Sequence, residues 1–177
     1  MDFLYQFAPE CFCERLVPHT FHVTLHDLSN SPVLRDVAEE LFENELRVLE
    51  KREQLHKYAN TVIQMKSRYL FNMVNTSLVL GLYPSDADNY YRLMELYCIF
   101  DDVRKLNYPF TPHITLAYYP VNGFDVQAAA RFEQAVNHLN QNELQLKLRV
   151  KQLYYQKFRS MNAYFDVFNL VLYPGRN

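Results

Sequence analysis

FHVTLHDL runs from Phe21 to Leu28. His22, Thr24 and His26 recur at every second position, with Val23 and Leu25 between them. Side chains alternate across a strand, so this spacing predicts a strand with one polar and one aliphatic face. A second stretch, PHITLAYY from Pro112 to Tyr119, repeats the series histidine, aliphatic, threonine, leucine. There the alternation places His113, Thr115, Ala117 and Tyr119 on one face, opposite Ile114 and Leu116.

Outward from the first motif, SNSP predicts a helix start, with Ser31 as cap and Pro32 in the first helical position. Leu34, Leu41, Val48 and Leu55 follow at helical spacing. The charged run ENELRVLEKREQLHK is read as the solvated face of that helix. TVIQMKSRYLF and TSLVLGLYP are rich in β-branched and aliphatic residues and predict two strands. Ser85, three residues before Asp88, resembles a capping box for a helix with Tyr90, Leu93, Met94 and Tyr97 on one face. After the second motif, NGFD leads into a helix striped by Ala128, Phe132, Ala135, Val136 and Leu139. Leu144, Leu146, Leu148 and Val150 then alternate with polar residues as a half-buried strand. FRSMNAY turns the chain into a last strand, YFDVFNLVLYP.

The order of elements therefore repeats at roughly ninety residues, longer than a solenoid period. It predicts an α+β fold with two similar lobes, each a small antiparallel sheet backed by helices. No flexible linker divides the chain, so residues 1–177 are expected to form one bilobal domain, its lobes built around strands 21–28 and 112–119.

The 177 residues are 49% hydrophobic and 21% charged, and the net charge is −2. That balance argues against a protein that coats nucleic acid, which would be basic, but leaves room for a phosphorylated ligand in a local pocket. Cys11, Cys13 and Cys98 have neither disulfide nor zinc spacing, which implies a reducing compartment. The N-terminal stretch lacks a basic segment and a long apolar core, and no run reaches the roughly 20 apolar residues of a membrane span. A cytoplasmic protein with no membrane partner is expected.

Two histidines presented toward one cleft can divide a proton transfer, one neutral and one protonated near neutral pH. The neutral ring takes a proton from an attacking hydroxyl or water, and the charged ring gives one to the leaving oxygen, each worth roughly 10² to 10⁴ in rate. Thr24 and Thr115 can donate hydroxyl hydrogen bonds to an oxyanion between them. A phosphodiester fits this set, and no cofactor or metal is called for. His19, His22, His26 and Asp27 are weighed as zinc ligands and set aside, because the stretch reads as strand and no H-E-x-x-H is present.

At these residues the sequence resembles the two-histidine (2H) phosphoesterase superfamily, which includes 2′-5′ RNA ligase-like proteins and 2′,3′-cyclic nucleotide phosphodiesterases. The resemblance rests on FHVTL (Phe21 to Leu25) and PHITL (Pro112 to Leu116). It implies a bilobal, pseudo-twofold α+β fold with helices outside a central cleft. It also implies His22 and His113 as the acid/base pair, and Thr24 and Thr115 as ligands of the phosphate oxygens. In that family a strand and a helix precede the first motif. Here PECFCERLVPHT is too short and broken for both, so the first lobe is expected to be trimmed or completed differently, for example by a partner chain.

His26 and Tyr119 are further candidates for substrate contact, at the cleft rim and by base stacking respectively. Tyr154 and Tyr155 are assigned to packing, Lys157 and Arg159 to solvent or a phosphate, and His19, His56 and His138 to the surface. The expected partner is a nucleotide or short oligonucleotide with a phosphodiester, either 2′,3′-cyclic or 2′-5′-linked. A phosphodiesterase that degrades cyclic oligonucleotide signals, a non-catalytic nucleotide-binding module, and an interaction protein using the charged helix from Glu39 to Lys57 are the rival readings.

Overall fold

The computed structural model describes residues 1–31 and 33–172. Pro32, expected at a helix start, and Tyr173 and Pro174, expected in the last strand, lie outside the described residues. The described elements are helices α1 (Asp2–Phe7), α2 (Ala38–Glu50) and α3 (Arg52–His56), strands β1 (Val62–Met73) and β2 (Ser77–Pro84), and helix α4 (Ala87–Asp101). Strand β3 (His113–Tyr118), helix α5 (Val126–Leu139) and strands β4 (Gln145–Arg149), β5 (Tyr154–Ser160) and β6 (Ala163–Asn169) complete them. One sheet has the order β3-β2-β1-β4, and β5 pairs with β6 in a separate antiparallel ribbon. The fold is thus mixed α+β, with sheets of unequal size.

The chain forms two compact units. The first comprises Met1–Val23, Lys66–Tyr83 and Thr111–Gln145. Its core gathers Leu4, Cys11, Phe12, Leu70, Leu78, Ala117, Ala128 and Ala135, against which Phe132, Val136 and Leu139 pack. The apolar stripe expected on α5 is therefore the face that the helix buries. Asp125 caps this helix, its carboxylate accepting from the Ala128 N–H at 2.8 Å. Between β1 and β2 the chain turns through Val74 and Asn75, both at positive φ, and the Asn72 side chain accepts from the Asn75 N–H. Such a turn matches the right-handed twist of the flanking strands. Gly81 on β2 leaves room for the Phe71 ring, which an added Cβ would meet at 2.8 Å.

The second unit comprises Thr24–Met65, Pro84–Phe110 and Leu146–Asn177. Asp86, one residue after the expected Ser85, caps α4 by accepting from the Asn89 N–H at 2.8 Å. Leu93, Leu96, Tyr97 and Phe100 form the buried face of α4, while Tyr90, expected on that face, is exposed. Leu146 and Leu148 are half-buried and their neighbours Gln145, Lys147 and Arg149 exposed, as the alternation predicts, whereas Leu144 is exposed and precedes the strand. Val150 closes that stretch in a 3₁₀ turn, not in the strand.

One expectation fails outright. Residues 21–30 carry no strand. Alternation describes side chains, whereas a strand also needs a partner for its backbone hydrogen bonds. The stretch leaves a 3₁₀ turn, Pro18–Thr20, with Phe21 extended, and the Leu28 carbonyl accepts from the Arg104 guanidinium and not from a strand. The predicted helix after it begins at Ala38, following a 3₁₀ turn at Leu34–Asp36, and Ser31 accepts from the Val33 N–H within the preceding loop.

Candidate active site

His113 opens β3, opposite Gly81 of β2. It is half-buried, and its Nδ1 lies 2.7 Å from the carbonyl oxygen of Thr111. A carbonyl only accepts, so Nδ1 carries the proton, and the neutral ring presents Nε2 as its basic atom. His22 repeats the arrangement without a strand: it too is half-buried, with Nδ1 2.7 Å from the carbonyl oxygen of Thr20. Thr20 is itself buried and held by its hydroxyl, which donates to the Val17 carbonyl at 2.8 Å.

The same bond to the residue two positions back gives both rings one tautomer. An imidazolium also donates from Nδ1, so the bond survives protonation and Nε2–H then becomes the acid. Either ring can therefore hold either protonation state without losing its orientation. Both histidines and Thr115 belong to the first unit, and Thr24 is the exposed first residue of the second.

The motif is longer than H-x-T. Pro18-x-Thr20-x-His22-Val23-Thr24-Leu25 matches Pro109-x-Thr111-x-His113-Ile114-Thr115-Leu116 at a spacing of 113 minus 22, or 91 residues. The upstream threonine, which supplies the orienting carbonyl, was visible in the sequence as the T-x-H-x-T repeat.

A bulge on β3 changes which side chains accompany His113. Leu78 pairs with Ala117 and Val79 with Thr115, so Leu116 is the extra residue. Alternation fails there, and Leu116, Ala117 and Tyr119 all join the core. Tyr119 packs among Phe12, Phe124 and Phe132, and burial pushes its hydroxyl up to about 12. Its ring thus serves the core in place of the base stacking expected of it. Tyr118 comes to the side of Thr115 instead: burial raises its pKa, and a hydrogen bond with Thr115 opposes that rise. Nothing in the sequence marks this bulge.

His26, expected at a cleft rim, is buried in the second unit against Tyr97 and Phe100, with Nε2 3.7 Å from an Asp101 carboxylate oxygen. Burial lowers its pKa, against the opposing influence of Asp101. Lys157 pairs with Glu45, Arg159 lies 5.4 Å over the Phe165 ring, and Tyr155 stacks on Phe168. His19, His56 and His138 are exposed. Among the described residues no group of three or more histidine, cysteine, aspartate or glutamate side chains is placed to hold a metal ion. No helix among them is long and apolar enough to cross a membrane.

No family model and no curated protein matches the chain. Among solved structures it is similar to TT0787 of Thermus thermophilus, at 16% identity over 88% of this chain and 79% of that one, with a TM-score of 0.48.

Proposed function

We propose that the protein is a 2H-type phosphodiesterase that opens 2′,3′-cyclic phosphates or cleaves 2′-5′-linked nucleotides without a metal, using His22 and His113 as paired acid and base. The observation that carries this reading is the pair of matched 2.7 Å bonds from Nδ1 to the carbonyl two residues back. Two rings oriented alike, each with Nε2 as its working atom, suit a reaction in which one oxygen enters phosphorus and another leaves. The neutral ring takes the proton of the attacking water as its oxygen bonds to phosphorus. The protonated ring gives a proton to the ribose oxygen as the other P–O bond breaks. Thr115 and Thr24 donate hydroxyl hydrogen bonds to the non-bridging oxygens, where charge builds in the transition state. The 91-residue repeat supports the bilobal, pseudo-twofold architecture that goes with this reading, and a cytoplasmic location suits its nucleotide substrates.

The test is a panel of 2′,3′-cyclic nucleotides, 2′-5′-linked dinucleotides and cyclic oligonucleotides incubated with the protein in EDTA. Turnover of at least one cyclic phosphate or 2′-5′ substrate, undiminished by the chelator, is expected. No turnover across the panel, or turnover lost in EDTA and restored by zinc or manganese, overturns the proposal.

A further inference from the structure

The two motif stretches are fixed in different ways. β3 is held by its ladder to β2, from Gly81 opposite His113 to Ser77 opposite Tyr118. Thr24–Leu28 has no ladder, so side chains must fix its backbone. Arg104 holds the Leu28 carbonyl, and the Tyr108 hydroxyl lies 3.3 Å from the Asp27 carboxylate. Between these and Thr24 sits His26, its side chain only 2% exposed. The ring stacks on Tyr97 at a centroid distance of 5.0 Å and an interplanar angle of 30°, and leans on Phe100 at 6.4 Å. Tyr97 in turn stacks on Phe110 at 4.8 Å. Among the described residues neither ring nitrogen of His26 has a partner within hydrogen-bond length, the Asp101 carboxylate lying 3.7 Å away. Burying an imidazole in this way costs desolvation that an apolar side chain would not incur. At the matching position of the second motif, 26 plus 91, stands Ala117, also buried.

We infer that His26 is the positioning residue of the first motif: clamped against Tyr97 and Phe100 and beside Asp101, it fixes the backbone that presents Thr24. The inference rests on the proposed phosphodiesterase reading for what Thr24 does, and on the side-chain packing alone for the clamp. Burial keeps the ring below the usual histidine range, so the clamp is neutral at neutral pH.

The full chain is studied by backbone amide NMR and by kinetics on 2′,3′-cyclic AMP, in the wild type, His26→Ala, His26→Phe, Tyr97→Leu and Thr24→Ala. His26→Ala and Tyr97→Leu should shift and broaden the Thr24–Leu28 amide signals while those of α5 stay in place, and His26→Phe should restore them. His26→Ala should lower kcat/KM at least about tenfold, since small displacements of a positioned group carry large rate costs. The same change made in Thr24→Ala should cost little more, because the two act through one group. Unaltered Thr24–Leu28 signals in both His26→Ala and Tyr97→Leu overturn the inference. So does a full tenfold loss on top of Thr24→Ala. Should the wild type turn over no 2′,3′-cyclic AMP, the reading of the reaction on that substrate fails, and the amide signals alone decide the clamp.

Discussion

Single side chains in this protein carry chemistry that their surroundings decide. Burial disfavours the charged ring of His26 and lowers its pKa, while Asp101 and Asp27 pull the other way. In the unfolded chain the same ring takes a proton near about pH 6.5. A folded-state pKa below the unfolded one means that the stabilisation is complete above that pH and is lost as pH falls toward the folded value. Urea midpoints measured from pH 7.5 to 5 should therefore fall less steeply in His26→Phe than in the wild type; equal slopes would show that the ring does not resist protonation. Cys11 is a second case. Burial, with Glu10 adding to it, pushes its thiol up to about 11, whereas Cys13 and Cys98 are exposed. At pH 8 a thiol reagent followed by mass spectrometry should label Cys13 and Cys98 within the native protein and Cys11 only after unfolding. Labelling of Cys11 at a comparable rate in the native state would contradict its placement in the core. Its burial was not legible in the sequence, where Cys11 and Cys13 lie two residues apart with similar neighbours.

At the scale of elements, the periodic signals of the sequence held on some elements and not on others: Tyr90 of α4 and Leu144 before β4, both expected on apolar faces, are exposed. The stripe on α5 and the half-buried Leu146 and Leu148 of β4 stand as read. The signals failed where backbone hydrogen bonding, which side-chain spacing does not encode, set the outcome. FHVTLHDL alternates as cleanly as PHITLAYY, yet only the second finds a strand to pair with. Within β3 one extra residue at Leu116 sends Tyr119 into the core and brings Tyr118 beside Thr115. The start of α4 shows a further network that spacing could not give. Asn89 is buried; its side-chain oxygen accepts from the Gln64 N–H at 2.7 Å, and its amide nitrogen donates to Ser85 and Asp86. Asn89→Ala would leave the Gln64 N–H without a partner, a loss of about 1–3 kcal/mol. Urea unfolding should show that loss in the midpoint at unchanged slope. A change below about 0.5 kcal/mol, the range of ordinary surface substitutions, would mean that water replaces the bond.

For the whole molecule, the repeat at 91 residues survives in the local geometry of the two histidines and not in the elements around them, since residues 21–30 carry no strand and the two sheets differ in size. His22 and His113 lie in one compact unit, and their rings make the same backbone bond. The histidines and threonines were legible because the proposed proton transfer uses their side chains. The orienting bond itself was not, although the T-x-H-x-T repeat marks Thr20 and Thr111, because a backbone carbonyl that any residue can supply makes it. Paired proton transfer is tested most directly by kcat/KM against pH for the wild type, His22→Ala, His113→Ala and the double variant, on a cyclic phosphate or 2′-5′-linked substrate. One ring must be neutral while the other is protonated, so the wild-type profile should be bell-shaped, with apparent values that belong to the pair. Each single variant should lose on the order of 10² to 10⁴ in rate and one limb of the bell. The double variant should lose far less than the product of the two. A flat profile from about pH 5 to 8, the range in which histidine changes charge, together with unchanged rates in both single variants, would contradict the account.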